Sequence, residues 1–316
     1  MRKKISVFIS VLVCTYNRAE LLANVLQTLG EQSLAPSEYE VIVVDNNSTD
    51  QTRIVAERFC QRYPNMRYCF EPKQGLSHAR NRGWQEARGD YVGYIDDDAK
   101  APQEWLPVAQ EMIEKLTPGM FGGPYYPFYN SPKPRWWKDS YREREHAEKA
   151  RPLTGYYEYL SGGNIFFRRT LLEKMGGFDT NFGMSGNKIA TCEERELLLR
   201  IRKARPNELI YYDPRLYIKH LVDAKKMSFK WLIRHRFASG RSHGRMYHAN
   251  QPLSKRQLLG KSANLLRSLI PLPLRAVKRD RTQYPYIQSY CFEQGLPLVR
   301  TLGQLYQQWE MAFEGQ

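Results

Sequence analysis

The stretch Gly89-Asp90-Tyr91-Val92-Gly93-Tyr94-Ile95-Asp96-Asp97-Asp98 constrains the fold more than any other part of the chain. An apolar run between Gly89 and Pro102 suits a buried parallel strand, and it stops abruptly at three carboxylates. In an open α/β sheet, ligands sit beyond the carboxyl ends of the strands, which is where these aspartates fall. Three like charges side by side are unfavourable unless a cation or strong donors share the site. A hard divalent ion, bound by one or two carboxylates together with substrate phosphates and water, resolves the conflict. An acidic turn capping the next helix would resolve it without a ligand.

The residues before this stretch weigh against a mere turn. Ile5 to Val13 reads as a first strand, with Thr15, Tyr16 and Asn17 at its carboxyl end. Ala19 to Gln32 follows with Leu22, Val25, Leu26 and Leu29 at helical spacing. Glu40 to Val44 forms a second strand ending in Asp45, and Ser48 with Gln51 resembles a capping box for a helix reaching Arg62. Met66 to Phe70 is a third strand, and a helix from Ser77 to Ala87, ended by Gly89, leads into the fourth. Strands alternating with helices at short spacing predict βαβ units and a parallel sheet. Three strand ends, at Thr15/Asn17, Asp45 and Asp96–Asp98, then share one crevice.

Bulk properties exclude several classes. The five cysteines are odd in number and lack paired spacing, which argues against a disulfide framework or zinc site and for a reducing compartment. The amino-terminal Met1-Arg2-Lys3-Lys4 and its apolar run read as a strand rather than a signal peptide, because Ser6 and Ser10 interrupt the run. No stretch approaches a membrane span. Neither a dinucleotide-binding nor a P-loop glycine pattern occurs, against oxidoreductase and P-loop readings. The net charge of +15 is concentrated: residues 223–281 hold 15 Lys and Arg against two Asp, a local charge of +13.

Residues 7 to about 222 resemble a family 2 glycosyltransferase of the GT-A fold. The matching stretches are Val11–Arg18, Val41–Asp50, Gly75–Gly83 and Gly89–Asp98, then Ser161-Gly162-Gly163-Asn164, Gly176-Gly177-Phe178-Asp179 and Cys192–Leu197. The resemblance implies an α/β fold with a nucleotide-binding sheet of mostly parallel strands flanked by helices. Residues 1–100 would form the nucleotide-sugar half, 101–222 the acceptor half, and 223–316 a basic, mainly helical extension. It further implies that Thr15, Tyr16, Asn17 and Asp45 cradle the nucleoside and that Arg80 helps hold the nucleotide. Asp96 and Asp98 stand as the D-x-D pair, the first facing ribose and metal, the second binding Mg²⁺ or Mn²⁺. His220 is a candidate third ligand, with a merely hydrogen-bonded histidine as the alternative. Gly162, Gly163 and Asn164 would floor the acceptor and donor-sugar pocket.

Glu194 occupies the family's catalytic-base position. Three glutamates in the first turn also suit the helix dipole with no catalysis at all, and Glu193 competes for the role. A base there takes the proton of an attacking hydroxyl, and a single carboxylate opposite the leaving group implies inversion. Trp136 and Trp137 would stack on a sugar or pack their loop onto the protein. Glu143 to Lys149 reads as a solvated helix, and Tyr211 to Ile218 as a late strand. Met227–Met246 and Leu258–Val277 are basic and helical, fitting either an anionic membrane surface or a packed helical subdomain; nucleic acid is the poorer match, no such module accompanying the charge.

The sequence thus predicts a metal-dependent, inverting transferase moving sugar from a nucleotide-diphospho-sugar to a saccharide or lipid-linked acceptor. It would work in the cytoplasm or at the cytoplasmic face of the membrane. The rival functions are a sugar nucleotidyltransferase, which would want a basic glycine-rich loop after the first strand, and an inactive sugar- or membrane-binding relative.

Overall fold

A computed structural model describes residues 8–143, 147–186, 188–248 and 253–314. The chain divides into two compact units. One takes in the residues up to Phe128 together with Arg142–Asn181 and Glu193–Leu221; the other comprises Tyr129–Tyr141, Phe182–Cys192 and Val222–Gln316.

The first unit is built on strands β1 (Ile9–Thr15), β2 (Tyr39–Asp45), β3 (Met66–Phe70), β4 (Tyr91–Ile95), β5 (Ala99–Lys100), β6 (Met120–Gly122), β7 (Tyr125–Phe128), β8 (Arg151–Pro152), β9 (Asn164–Arg168), β10 (Ile210–Tyr212) and β11 (Ile218–Leu221). Eight of them form a sheet in the order β3-β2-β1-β4-β9-β6-β10-β8, and β5-β11-β7 form a small second sheet. In the large sheet all strands run the same way except β8 and β9. Register aligns Thr15 with Asp45 and Ile95 with Asn164, so the polar strand ends reach one rim.

Helices cover both faces, which explains why the strands are apolar on both sides. On one face Ile9, Val11, Val13, Val41 and Val43 pack against α1 (Ala19–Gly30), α2 (Thr52–Arg62) and α4 (Trp105–Leu116). Leu22, Val25, Leu26 and Leu29 of α1 are all fully buried, as their spacing requires. The alternate residues Leu12, Ile42, Val44 and Val92 face α3 (Leu76–Glu86), α5 (Arg169–Met175) and α6 (Glu193–Ala204), where Leu197, Leu198 and Ile201 are buried.

Several local expectations change. Ser48 caps no helix: its hydroxyl accepts from the Asn17 N–H at 2.9 Å, and Asp50 Oδ1 accepts from Thr52 N–H at 2.9 Å as α2 begins. The late strand is two strands, β10 and β11, interrupted at Asp213, whose carboxylate caps the Arg215 N–H at 2.9 Å. The described residues between Arg142 and Lys149 form no helix; 144–146 lie outside the description. Asn164 is not a pocket wall. It is fully buried, Oδ1 accepts from Trp105 Nε1 at 3.0 Å, and Nδ2 donates to the Pro124 and Leu216 carbonyls at 3.0 and 2.7 Å.

The second unit pairs α7 (Phe229–His248) with α11 (Leu296–Glu314), and adds α8 (Lys255–Leu269), α9 (Leu272–Val277) and α10 (Ile287–Tyr290). Pro271 separates α8 from α9, splitting the predicted Leu258–Val277 helix. Trp136 and Trp137 belong to this unit's core. Trp137 is buried with Nε1 donating to Tyr129 Oη at 3.0 Å, and Trp136 packs on Phe229 and Phe292. Packing, not an open sugar platform, describes both rings. Cys192, buried in the same unit, sets its sulfur 3.1 Å from His243 Nδ1.

Asn164→Leu leaves Trp105 Nε1 and the Leu216 carbonyl without their partner and takes one of two donors from the Pro124 carbonyl, which keeps the Ile218 N–H at 3.2 Å; each unpaired group costs about 1–3 kcal/mol. We expect urea unfolding to show a loss of about 3 kcal/mol or more; a loss below about 1 kcal/mol would contradict this account of the tie.

Candidate active site

The rim of the large sheet gathers acidic groups of unequal circumstance. Asp96 follows β4 and is partly exposed, whereas Asp97 and Asp98 are buried. His220 reaches them because β11 lies antiparallel to β5, pairing His220 with Ala99, while the Leu221 N–H donates to the Asp98 carbonyl at 2.9 Å. His220 Nε2 stands 3.4 Å from Asp96 Oδ2 and 3.2 Å from Asp98 Oδ1. One ligand atom from each of the three residues fits within 4.8 Å of the others. Two carboxylates and an imidazole are a donor set that suits a first-row divalent ion such as Mn²⁺, and carboxylates alone would favour Mg²⁺. The residues therefore fit a divalent cation.

Asp97 is served differently. Arg18, just before α1, places Nη1 2.8 Å from Asp97 Oδ1 and 3.4 Å from Asp98 Oδ2. Burial pushes the Asp97 carboxyl up to about 6, with Asp98 adding to the rise and Arg18 opposing it. Asp96 goes the other way: burial works against its charge, but the His220 hydrogen bond holds it below the usual carboxylate range. Sequence reasoning placed Arg18 in a motif but gave it no role. A third carboxylate beside a single metal demands another cation, and that imbalance was the available signal.

A second cation lies beneath the rim. Arg80 of α3 is buried, with Nη1 2.8 Å from Glu193 Oε1, Nη2 donating to the Gly162 carbonyl at 3.2 Å, and Asp96 Oδ1 4.0 Å away. Its guanidinium lies against the rings of Tyr94 and Phe178. Arg80 thus spends its strongest bonds inside the protein, holding Asp96 and the start of α6 in relation to each other. Glu193 is correspondingly locked and buried. Glu194 is half-buried and forms no ion pair among the described residues. Burial, then the neighbouring Glu193 charge, pushes its carboxyl up to about 8, with Asp96 contributing and Arg80 opposing.

The paired glycines have a steric reason. A Cβ on Gly163 would come within 2.2 Å of Asp96 Oδ2, and one on Gly162 within 2.7 Å of Arg80 Nη2. Arg80, Asp96, Cys14 and Gly162 line a small recess at this point. Further out, Asn17 adopts a positive φ of 51° and its Oδ1 accepts from the Thr49 N–H at 2.7 Å, tying the loops after β1 and β2. Asp45 accepts from the Ser48 N–H and from Tyr68 Oη, both at 2.9 Å. Thr15 is buried beside it at the strand end, and Tyr16 is half-buried on the following turn. Two distant motifs also meet: Asn81 Nδ2 donates to the Phe178 carbonyl and Asn81 Oδ1 accepts from the Phe178 N–H, both at 2.8 Å. Gly177 at φ 72° admits that contact.

A mostly parallel sheet covered by helices on both faces, with its acidic groups gathered at the carboxyl rim, is the GT-A architecture. Residues 10–176 match the model of the glycosyl transferase family 2, and the chain belongs to that family. It is 29% identical over 243 residues to the glucosyl-dolichyl phosphate glucuronosyltransferase of Haloferax volcanii, covering 74% of this chain and 75% of that one. It is 28% identical over 243 residues to the succinoglycan biosynthesis protein ExoM of Rhizobium meliloti, covering 75% and 74%. Among solved structures, the mannosyltransferase PcManGT of Pyrobaculum calidifontis, in complex with GDP-Man and Mn²⁺, superposes with a TM-score of 0.64. That match has 20% identity and covers 94% of this chain and 87% of the other. The protein is a glycosyltransferase that takes its sugar from a nucleotide-sugar.

Gly163→Ala forces Asp96 out of its place while the strand is unaltered. We expect unchanged circular dichroism and at least ~10-fold weaker Mn²⁺-dependent nucleotide binding by calorimetry, since metal ligands tolerate displacements of only ~0.2 Å. Unchanged affinity would refute the steric argument.

Proposed function

We propose that this chain is an inverting, divalent-cation-dependent glycosyltransferase whose acceptor is a hydroxyl of a saccharide, free or lipid-linked. The observation that carries the reading is the grouping of Asp96, Asp98 and His220 at the end of β4, with Glu194 near enough to sense the Asp96 charge. Asp96, Asp98 and His220 would hold Mn²⁺ or Mg²⁺. When bound, the ion supplies positive charge that offsets the donor's diphosphate in the ground state and as it leaves. The relatives that act on a lipid-linked sugar or in polysaccharide synthesis support the acceptor class.

In this reading the chain's own residues do the following. The loops after β1 and β2, tied to each other by Asn17 and the second pinned by Asp45, present a fixed wall to the nucleoside. Gly162 and Gly163 let Asp96 and Arg80 keep their places beside the donor. Glu194 accepts the proton of the acceptor hydroxyl as its oxygen bonds to the anomeric carbon and the bond to the diphosphate breaks. Nucleotide diphosphate departs from the opposite face, which inverts the centre. Arg80 and Glu193 act as positioning residues, because their charges satisfy each other. The pairing favours Glu194 over Glu193 as the base: an ion-paired, buried carboxylate is a poor base, and one outside that pair with a raised pKa is a good one.

Incubation with a panel of nucleotide sugars, a saccharide acceptor and Mn²⁺ tests the reading. We expect release of nucleotide diphosphate that chelator abolishes and Mn²⁺ restores. Release of pyrophosphate, or full activity with chelator, would overturn it.

The pH profile tests the base. Glu194 must be ionised to act, so kcat/KM should rise with pH and level off above about 8. Glu193→Gln removes the like charge and frees Arg80 to act on Glu194, so the inflection should move to lower pH. Glu194→Gln should lower kcat by roughly 10²–10⁴-fold with KM little changed. An inflection that ignores Glu193→Gln, or a Glu194→Gln variant near full activity, would remove Glu194 from the role.

A further inference from the structure

Between Ala224 and Arg279 the sequence contains no acidic residue. Within that span α8 and α9 leave Leu259, Leu266, Ile270, Leu274 and Val277 exposed at 62, 56, 75, 59 and 66%. Ala263 is exposed between the first two. Their steps of four, three, four, four and three residues trace one face of a continuous helical pattern, carried across the break at Pro271. The buried side of these helices is a different one. Leu258 and Leu265 pack with Leu305, and Ala276 is buried on α9. Packing within the unit therefore does not explain the exposed stripe. Each such side chain left in water forgoes the gain of burial, so five in register are a surface awaiting cover.

Charge says what covers it. Lys255, Arg256, Arg267, Arg275 and Lys278 are all exposed along the same two helices. We infer that this face of α8 and α9 lies in the interface of an anionic lipid bilayer, the aliphatic stripe at the acyl boundary and the flanking cations among the headgroup phosphates. An apolar face and a polybasic flank are the two signals that together give stable, reversible attachment. No helix among the described residues is long and apolar enough to cross a membrane, so the face would lie on the bilayer and not span it. Nucleic acid would satisfy the cations but offers nothing to five aliphatic side chains. A second copy docked on the same stripe would set its cationic flanks against identical ones, and neither helix carries an acid to pair with them. No residue of this face belongs to the transfer site, and vesicle binding does not depend on how that site is read.

The experiment is co-sedimentation of the whole chain with vesicles of phosphatidylcholine alone and of phosphatidylcholine mixed with phosphatidylglycerol. The wild type should bind the mixed vesicles, lose affinity as salt rises, and bind the neutral ones weakly. The double variant Leu266→Glu, Ile270→Glu should bind the mixed vesicles more than about ten-fold more weakly. Its circular dichroism and its release of nucleotide diphosphate in solution should be unchanged. Arg267→Ala with Arg275→Ala should weaken binding chiefly at low salt. Failure of the wild type to bind mixed vesicles overturns the inference, as does equal binding by the wild type and the glutamate variant. So does a wild-type dimer in light scattering that the glutamate variant abolishes while vesicle binding persists.

Discussion

The arrangement depends on one electrostatic problem: carboxylates crowded at the rim of a sheet. Asp96, Asp97, Asp98, Glu193 and Glu194 converge there, and the guanidinium groups within reach are Arg18 and Arg80. Two unit charges about 4 Å apart at a protein surface interact by roughly 4 kcal/mol. A domain's whole stability is only about 5–15 kcal/mol. Such a cluster cannot be left unbalanced. Each member has its own relief: Asp97 in Arg18, Glu193 in Arg80, Glu194 in a carboxyl pushed up toward its neutral form, and Asp96 with Asp98 in His220 and, as proposed, in a divalent ion. These separate solutions give each carboxylate a separate capacity.

The fold exists to place those solutions. Parallel β2, β1 and β4 end together, bringing Asp45, Thr15 and Asp96 to one rim. The antiparallel β9 beside β4 brings Gly162 and Gly163 against Arg80 and Asp96, where no side chain fits. The small sheet brings His220 back from late in the chain. Asn164, whose three hydrogen bonds link β9 to Trp105 and to the chain near β7 and β11, ties the two sheets close to where Asp96 and His220 meet.

Much of this was legible in the sequence because periodicity and strand ends are local properties. The strands at Met66–Phe70 and Tyr91–Ile95, the buried faces of α1 and α6, and the aspartates at the rim follow from spacing alone. What local pattern does not carry is which partner a side chain finds across the fold. Asn164 follows two glycines in a pocket-like motif, yet faces inward because buried carbonyls at Pro124 and Leu216 need donors. Trp136 and Trp137 resemble a sugar platform only until Phe229 and Phe292, far along the chain, cover them. Arg18 went without a role because its partner is 79 residues away. Ser48 resembled a cap because its spacing is right, and Asp50, two residues later, competes for the same turn.

The central claim is that Asp98, with Asp96 and His220, holds a divalent ion that the carboxylate cluster needs. Electron paramagnetic resonance of Mn²⁺ added to the protein with UDP or GDP measures it directly. The account predicts one bound ion per chain, a nitrogen coupling lost in His220→Leu, and no high-affinity binding in Asp98→Asn. Binding that is indifferent to both substitutions, or no bound ion at all in the unaltered protein, would contradict it.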